Sequence, residues 1–202
     1  MTRTAFLGIN RTCRYLDVSK IYTEAPLRVD ALGDILLGSD LTPGSSFDAS
    51  AHPFAEFSLC KDGQEVLRLR YVPDAEVERH GGIAYQSDHS GQRWTLQFFR
   101  TPSLQRESYR VVREGTVIVT SEVLKPLRTS AITYSDGKIW HCHTKLLGTE
   151  VENTEGVRVL HTSPKLGMTM GQSSLHVDHA MEESRGIPLL LILTHLTTHN
   201  DR

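Results

Sequence analysis

Cysteine is scarce in this chain of 202 residues: Cys13, Cys60 and Cys142 are odd in number and far apart. Without a Cys-x-x-Cys pair, a disulfide framework and a thiolate zinc site are both disfavoured, and reduced thiols in the cytoplasm are the expectation. A strong charge of either sign is also lacking. The formal net charge is −2, so no global basic field draws the chain to nucleic acid or an anionic membrane. No apolar run reaches the about 20 residues that a bilayer-crossing helix needs. The first residues carry no secretory apolar region, and Thr2 excludes N-myristoylation. No Gly-x-Ser-x-Gly elbow occurs. Gly167-Met168-Thr169-Met170-Gly171 lacks the Gly-Lys-Ser/Thr ending of a phosphate loop. What remains, 39% hydrophobic and 23% charged, is the composition of a globular protein, and residues 1–202 are expected to form one domain.

The longest apolar run lies near the end, Ile187-Pro188-Leu189-Leu190-Leu191-Ile192-Leu193-Thr194-His195-Leu196. Leu189 to Leu193 would point round the whole circumference of a helix, and a helix apolar on all sides must be surrounded by protein. Periodicity alone does not separate a short buried helix from a buried strand. The leucine content favours helix, and Pro188 suits a first helical turn. A central helix over 187–199 is therefore expected. His195 inside it must find a hydrogen-bond partner.

Upstream, residues 1–26 carry no clean period and read as a peripheral segment. Ile35-Leu36-Leu37 is a candidate short strand, and residues 42–53 read as loop from their turn chemistry. From Phe54 the pattern is regular. Phe54 to Cys60 and Glu65 to Val72 flank Lys61-Asp62-Gly63, a hairpin signal, because Asp-Gly supplies the positive φ of a tight turn. Leu67, Leu69 and Tyr71 should face the core and Arg68 and Arg70 solvent. Ile83 to Gln86 pairs with Arg93 to Arg100, where Trp94, Leu96 and Phe98 share the buried face. Ser108 to Arg113 turns at Glu114-Gly115 into Thr116 to Leu124. Arg128 to Tyr134 turns at Ser135-Asp136-Gly137 into Lys138 to Leu146. Thr149 to Glu152, Val157 to Thr162 and Ser174 to Asp178 complete the series. Short strands separated by Gly or Pro turns indicate an antiparallel barrel or sandwich. A sheet over residues 27–186 that closes round the leftover helix also removes its exposed edges.

Three hairpins of related form, Lys61-Asp62-Gly63-Gln64, Arg113-Glu114-Gly115-Thr116 and Ser135-Asp136-Gly137-Lys138, followed by an apolar C-terminal helix, resemble the Tubby C-terminal-like superfamily. The likeness is to its LURP-one-related and phospholipid-scramblase-like branch, over residues 27–199. The resemblance implies a closed β-barrel threaded by a hydrophobic helix. It implies a binding or scaffold role, with a lipid or small hydrophobic molecule as ligand and no cofactor. Arg110, Arg128 and Trp140 are the candidate ligand contacts. The scattered cysteines and the lack of an acidic calcium-binding segment set this chain apart from the scramblase relatives.

The most chemical-looking stretch is Trp140-His141-Cys142-His143. On a strand His141 and His143 point to one side, about 7 Å apart, and both can reach one divalent metal. The spacing resembles that of cupins only in part: Gly137 stands four residues before His141, and Glu150 seven after His143. In the simpler reading Trp140, Cys142 and Leu146 face the core and the histidines face solvent. His161 and His176 lie on candidate strands. With His141 and His143 they are the candidate catalytic groups of an alternative reading, a small-molecule enzyme such as an isomerase, a cyclase or a cupin-like metalloenzyme working in the barrel cavity.

Overall fold

In the computed structural model of the chain, residues 38–52, 56–89, 91–101, 106–122, 124, 127–164 and 172–199 are described. The expected peripheral segment and the Ile35-Leu36-Leu37 strand lie outside them. Twelve antiparallel strands form one closed barrel in simple meander order, sealed where the first strand pairs with the last. They are β1 (Ser46–His52), β2 (Glu56–Lys61), β3 (Gln64–Val72), β4 (Gly82–His89), β5 (Gln92–Thr101) and β6 (Arg106–Arg113). The second half comprises β7 (Thr116–Ser121), β8 (Thr129–Tyr134), β9 (Ile139–Lys145), β10 (Gly148–Glu152), β11 (Arg158–Pro164) and β12 (Gln172–Val177). The helix α2 (Glu183–His199) follows.

The turn chemistry works as its residues predict. Asp62 and Gly63 have φ of 51° and 78°, the pair of positive values that matches a hairpin to the twist of its strands. Leu67, Leu69, Trp94, Leu96 and Phe98 are buried. Tyr71 is half-buried with its hydroxyl on Glu78, and Arg68 is half-buried through its ion pair with Glu65. Two expectations need correction, and one element is new. Residues 46–52 are a strand, not a loop: Phe47 and Ala49 point inward between polar neighbours, a pattern that small residues make faint. The second strand of the Glu114-Gly115 hairpin stops at Ser121 rather than Leu124. A short helix α1 (Ala75–Arg79) follows Pro73, capped by Asp74 Oδ1, which accepts from the Glu76 and Val77 amides at 3.1 Å.

The helix α2 begins at Glu183, so Pro188 sits inside it rather than in its first turn. The proline removes the intrahelical bond to the Ser184 carbonyl, and tertiary contacts hold the preceding turn. Arg185 Nη2 donates to Asp136 Oδ2 at 2.5 Å, and its guanidinium lies 4.9 Å from the centre of the Tyr134 ring. The Tyr134 hydroxyl donates to the Arg185 carbonyl at 3.2 Å. From Ile187 to Leu196 every side chain is buried. The helix packs on β1, β2, β6 and β12, and around His195 it also meets Tyr85 of β4 and Phe98 of β5. The strands that enclose it are distant in sequence. The helix fills the lumen with buried side chains from Ile187 to Leu196.

Candidate functional site

The alternation of β9 settles where its histidines point. Trp140 and Cys142 are buried, His141 is exposed and His143 is half-buried, so both imidazoles lie on the outer wall. Leu146 departs from expectation. It does not face the core but is 84% exposed, and Leu147 is 78% exposed. The register Gly148↔Lys145 makes Leu146-Leu147 the whole two-residue turn between β9 and β10. Such turns ordinarily carry Asn, Asp or Gly. Next to this turn stands Leu127, 65% exposed, at a φ of 61° that a branched side chain seldom adopts. Leu127 and Leu146, with Arg128, Thr129, His143 and Lys145, line a groove of about 320 Å³. Three leucines thus stand in water at one end of the barrel, beside two cationic side chains.

The same end opens onto a row of polar side chains. Cross-strand register places Thr129 opposite His143, His143 opposite Glu150, and Glu150 opposite His161. It then places His161 opposite His176, and His176 opposite Ser46. The row therefore crosses six strands, from β8 round to β1, or about 24 Å of outer wall at the usual strand spacing. His143 Nδ1 bonds the Thr129 hydroxyl at 2.8 Å. Its Nε2 is within 3.3 Å of Glu152 Oε2 but is not aligned as a hydrogen bond to it, and the atom is buried. His161 and His176 stack with ring centres 4.8 Å apart. His161 Nδ1 bonds Asp178 at 2.7 Å. His176 spans two strand boundaries, with Nδ1 on Ser46 at 3.0 Å and Nε2 on Ser163 at 3.1 Å.

Charges around the row are tightly paired. Lys145 Nζ is 2.5 Å from Glu150 and holds that carboxyl below its usual range. Burial pushes the Asp178 carboxyl up, but hydrogen bonds from His161 and Arg158 outweigh it and hold the group low. Burial lowers His176, and the neighbouring His161 lowers it further.

The other sequence candidates are dispersed. Trp140 is buried against Tyr134 with ring centres 5.0 Å apart and does not reach the surface. Arg110 lies on β6, its guanidinium 5.6 Å from the centre of the Phe99 ring. Arg128 alone of the three lines the groove. The Cys142 thiol is pushed up to about 12 by burial, which leaves it inert. The signal for the missed residues was present in the sequence: Lys145-Leu146-Leu147-Gly148 puts two leucines where a β-turn should be polar.

His161 and His176 share a site, and His143 lies two strands from His161 and three from His176, across Glu150. Among the described residues no group of three or more His, Cys, Asp or Glu side chains is placed to hold a metal ion. No described helix is long and apolar enough to cross a membrane. Comparison with protein-family models, curated proteins and solved structures finds no match for this chain.

Proposed function

We propose that this chain is a binding or scaffold barrel of the Tubby-like kind that engages lipid through its outer surface. The observation that carries the reading is the exposed trio Leu127, Leu146 and Leu147 beside Arg128 and Lys145. A closed barrel gains nothing for folding from leucines in water, since each forgoes roughly 1.5–3 kcal/mol of burial. Leucine is also a poor hairpin-turn residue. Placed against a bilayer, the three side chains enter the interface while the adjacent cations meet phosphate. A protein partner fits less well: interface anchors are typically Trp, Tyr and Arg in pockets, whereas this tip is aliphatic and projects from a turn. The burial of α2 in the lumen supports a binding role over the enzyme alternative, since it leaves little room there for a substrate. His161 and His176 then lie on an open wall, with hydroxyl and carboxylate partners already in place.

The test is vesicle co-sedimentation of the full chain against its Leu146→Ser/Leu147→Ser variant. The wild type should pellet with vesicles and the variant should stay in the supernatant. A wild type that ignores every vesicle, or a variant that pellets equally well, overturns the reading.

A further inference from the structure

His143 Nε2 is buried without a hydrogen-bond partner, yet it lies 3.3 Å from Glu152 Oε2. Two ligands held about 2.0–2.1 Å from a tetrahedral metal ion are about 3.3–3.4 Å apart. The pair therefore has the spacing of one edge of a metal site. We propose that His141, His143 and Glu152 bind a single divalent transition-metal ion of the zinc class on the outer wall of β9 and β10. This site goes beyond the lipid-surface reading and does not depend on it.

Strand register supplies the three donors. His141 and His143 alternate with the buried Trp140 and Cys142 on β9, so both imidazoles leave the same face. Glu152 of β10 is directly opposite His141 and diagonal to His143. Two histidines from one strand and a carboxylate from its neighbour leave a tetrahedral ion one position for water. Among the described residues no three donors already stand round one point; only His143 and Glu152 do. His141 is exposed, and a change of rotamer brings its imidazole to the same ion without moving the backbone.

The other nitrogen of His143 prepares it for the role. Nδ1 lies 2.8 Å from the Thr129 hydroxyl. With Nδ1–H donating there, Nε2 keeps its lone pair for the ion, and the ring is held in orientation as metal-bound imidazoles generally are. The ion also satisfies a buried atom that the fold alone leaves without a partner. Glu150, opposite His143, is not a donor, because Lys145 at 2.5 Å and Arg158 at 4.0 Å hold its carboxylate. His161 and His176 are engaged as well: Asp178, Ser46 and Ser163 take three of their four ring nitrogens. Imidazole donors suit zinc and its first-row neighbours, whereas calcium and magnesium take oxygen donors.

The experiment uses the full chain, freed of metal with a chelator. Zinc chloride is titrated calorimetrically at about pH 7.5, where imidazole is ordinarily neutral. The variants are His141→Gln/His143→Gln, Glu152→Gln, Thr129→Val and His161→Gln, and melting curves without zinc check that each is folded. The wild type should form a one-to-one zinc complex, and its cobalt(II) form should show the visible absorption of four-coordinate cobalt. Thr129→Val keeps every donor but frees the His143 ring; it should weaken zinc binding about tenfold, and the ligand variants should weaken it more. His161→Gln should bind as wild type does. A wild type that forms no one-to-one complex overturns the proposal, as does a folded His141→Gln/His143→Gln variant that keeps full affinity. Zinc lost in His161→Gln but kept in Glu152→Gln places the ion elsewhere and overturns it too. Vesicle binding by a chain that takes no zinc overturns the metal site and leaves the lipid reading standing.

Discussion

His195 Nδ1 and the Tyr109 hydroxyl lie 3.2 Å apart in the middle of the barrel, joining α2 to β6. Phe57, Tyr85 and Phe98 close round the same imidazole, with ring centres 4.7–5.3 Å from it or from one another. A polar ring in this apolar position is stabilised by its partners, and removing one side of this pair takes one of them from the other. His195→Leu and Tyr109→Phe should each cost about 1–3 kcal/mol. The double variant should cost less than the two together, since the shared contact is then lost only once. Urea unfolding of the four proteins in a double-mutant cycle measures the coupling; strict additivity would mean that the contact contributes nothing.

The helix is the core of the fold rather than an appendage to it. Leu189, Leu190, Leu191, Ile192 and Leu193 are each 0% exposed, and burial of such side chains is worth roughly 1.5–3 kcal/mol apiece. Leu191→Ala should destabilise by about 2–5 kcal/mol, and Leu191→Asp should abolish soluble expression by burying an unpaired charge. Deletion after Gly186 should leave an open sheet that aggregates. A truncated protein that melts cooperatively at the full-length temperature would contradict this.

The seam that closes the barrel should be acid-sensitive through His176. Burial, and then the neighbouring His161, lower this imidazole in the folded state. The unfolded chain therefore takes up the proton first, at about pH 6.5. The stability concerned is fully present above that pH and is lost as pH falls through the lower folded value. Urea midpoints should drop between about pH 7 and about pH 5 in the wild type, and less so in His176→Gln. Hydrogen exchange should place the loosening at β1 and β12, which Ser46 and His176 join. Loss of the Asp178 interactions belongs to a separate, more acidic window, because that carboxyl is held low.

Much of this architecture can be read from local sequence. Alternation gave the inward faces of β3 and β5, Asp62-Gly63 announced its hairpin, and the run from Leu189 to Leu193 required an enclosing sheet. β1 escaped because Ala49, Ser50 and Ala51 carry little of the bulk that marks a strand. The candidate site was half legible. His141 and His143 were visible as a pair on one face. The row from Thr129 to Ser46 was not, because it exists only in the register of six strands, one of them brought round by barrel closure. The β9 alternation points Leu146 at the core only if it continues past Lys145, where the chain already turns.

Exposure also separates function from stability at the tip. Leu146 and Leu147 make little contact with the barrel, so Leu146→Ser/Leu147→Ser should change folding stability by less than about 0.5 kcal/mol. Thermal melts of the variant and wild type check this. A large drop in melting temperature would show that the leucines serve the fold, and loss of vesicle binding would then carry no functional meaning.

The residue beside them behaves in the opposite way. Gly148 has a φ of 132°, and a Cβ built on it would lie 2.1 Å from the Thr162 carbonyl oxygen of β11. That oxygen is backbone and cannot swing aside. The next residue is tied to the same place, since the Thr149 amide donates to Thr162 Oγ1 at 2.8 Å. Gly148→Ala must therefore push β10 off β11 as well as strain its own backbone, and should cost about 3 kcal/mol or more. Its effect should spread along the row, because Glu150 and His161 are paired on these same two strands. Chemical denaturation gives the cost, and histidine ring signals followed by NMR give the spread. A variant as stable as wild type, with His161 and His176 unperturbed, would show that β10 is free to shift and that the row is not held in fixed register.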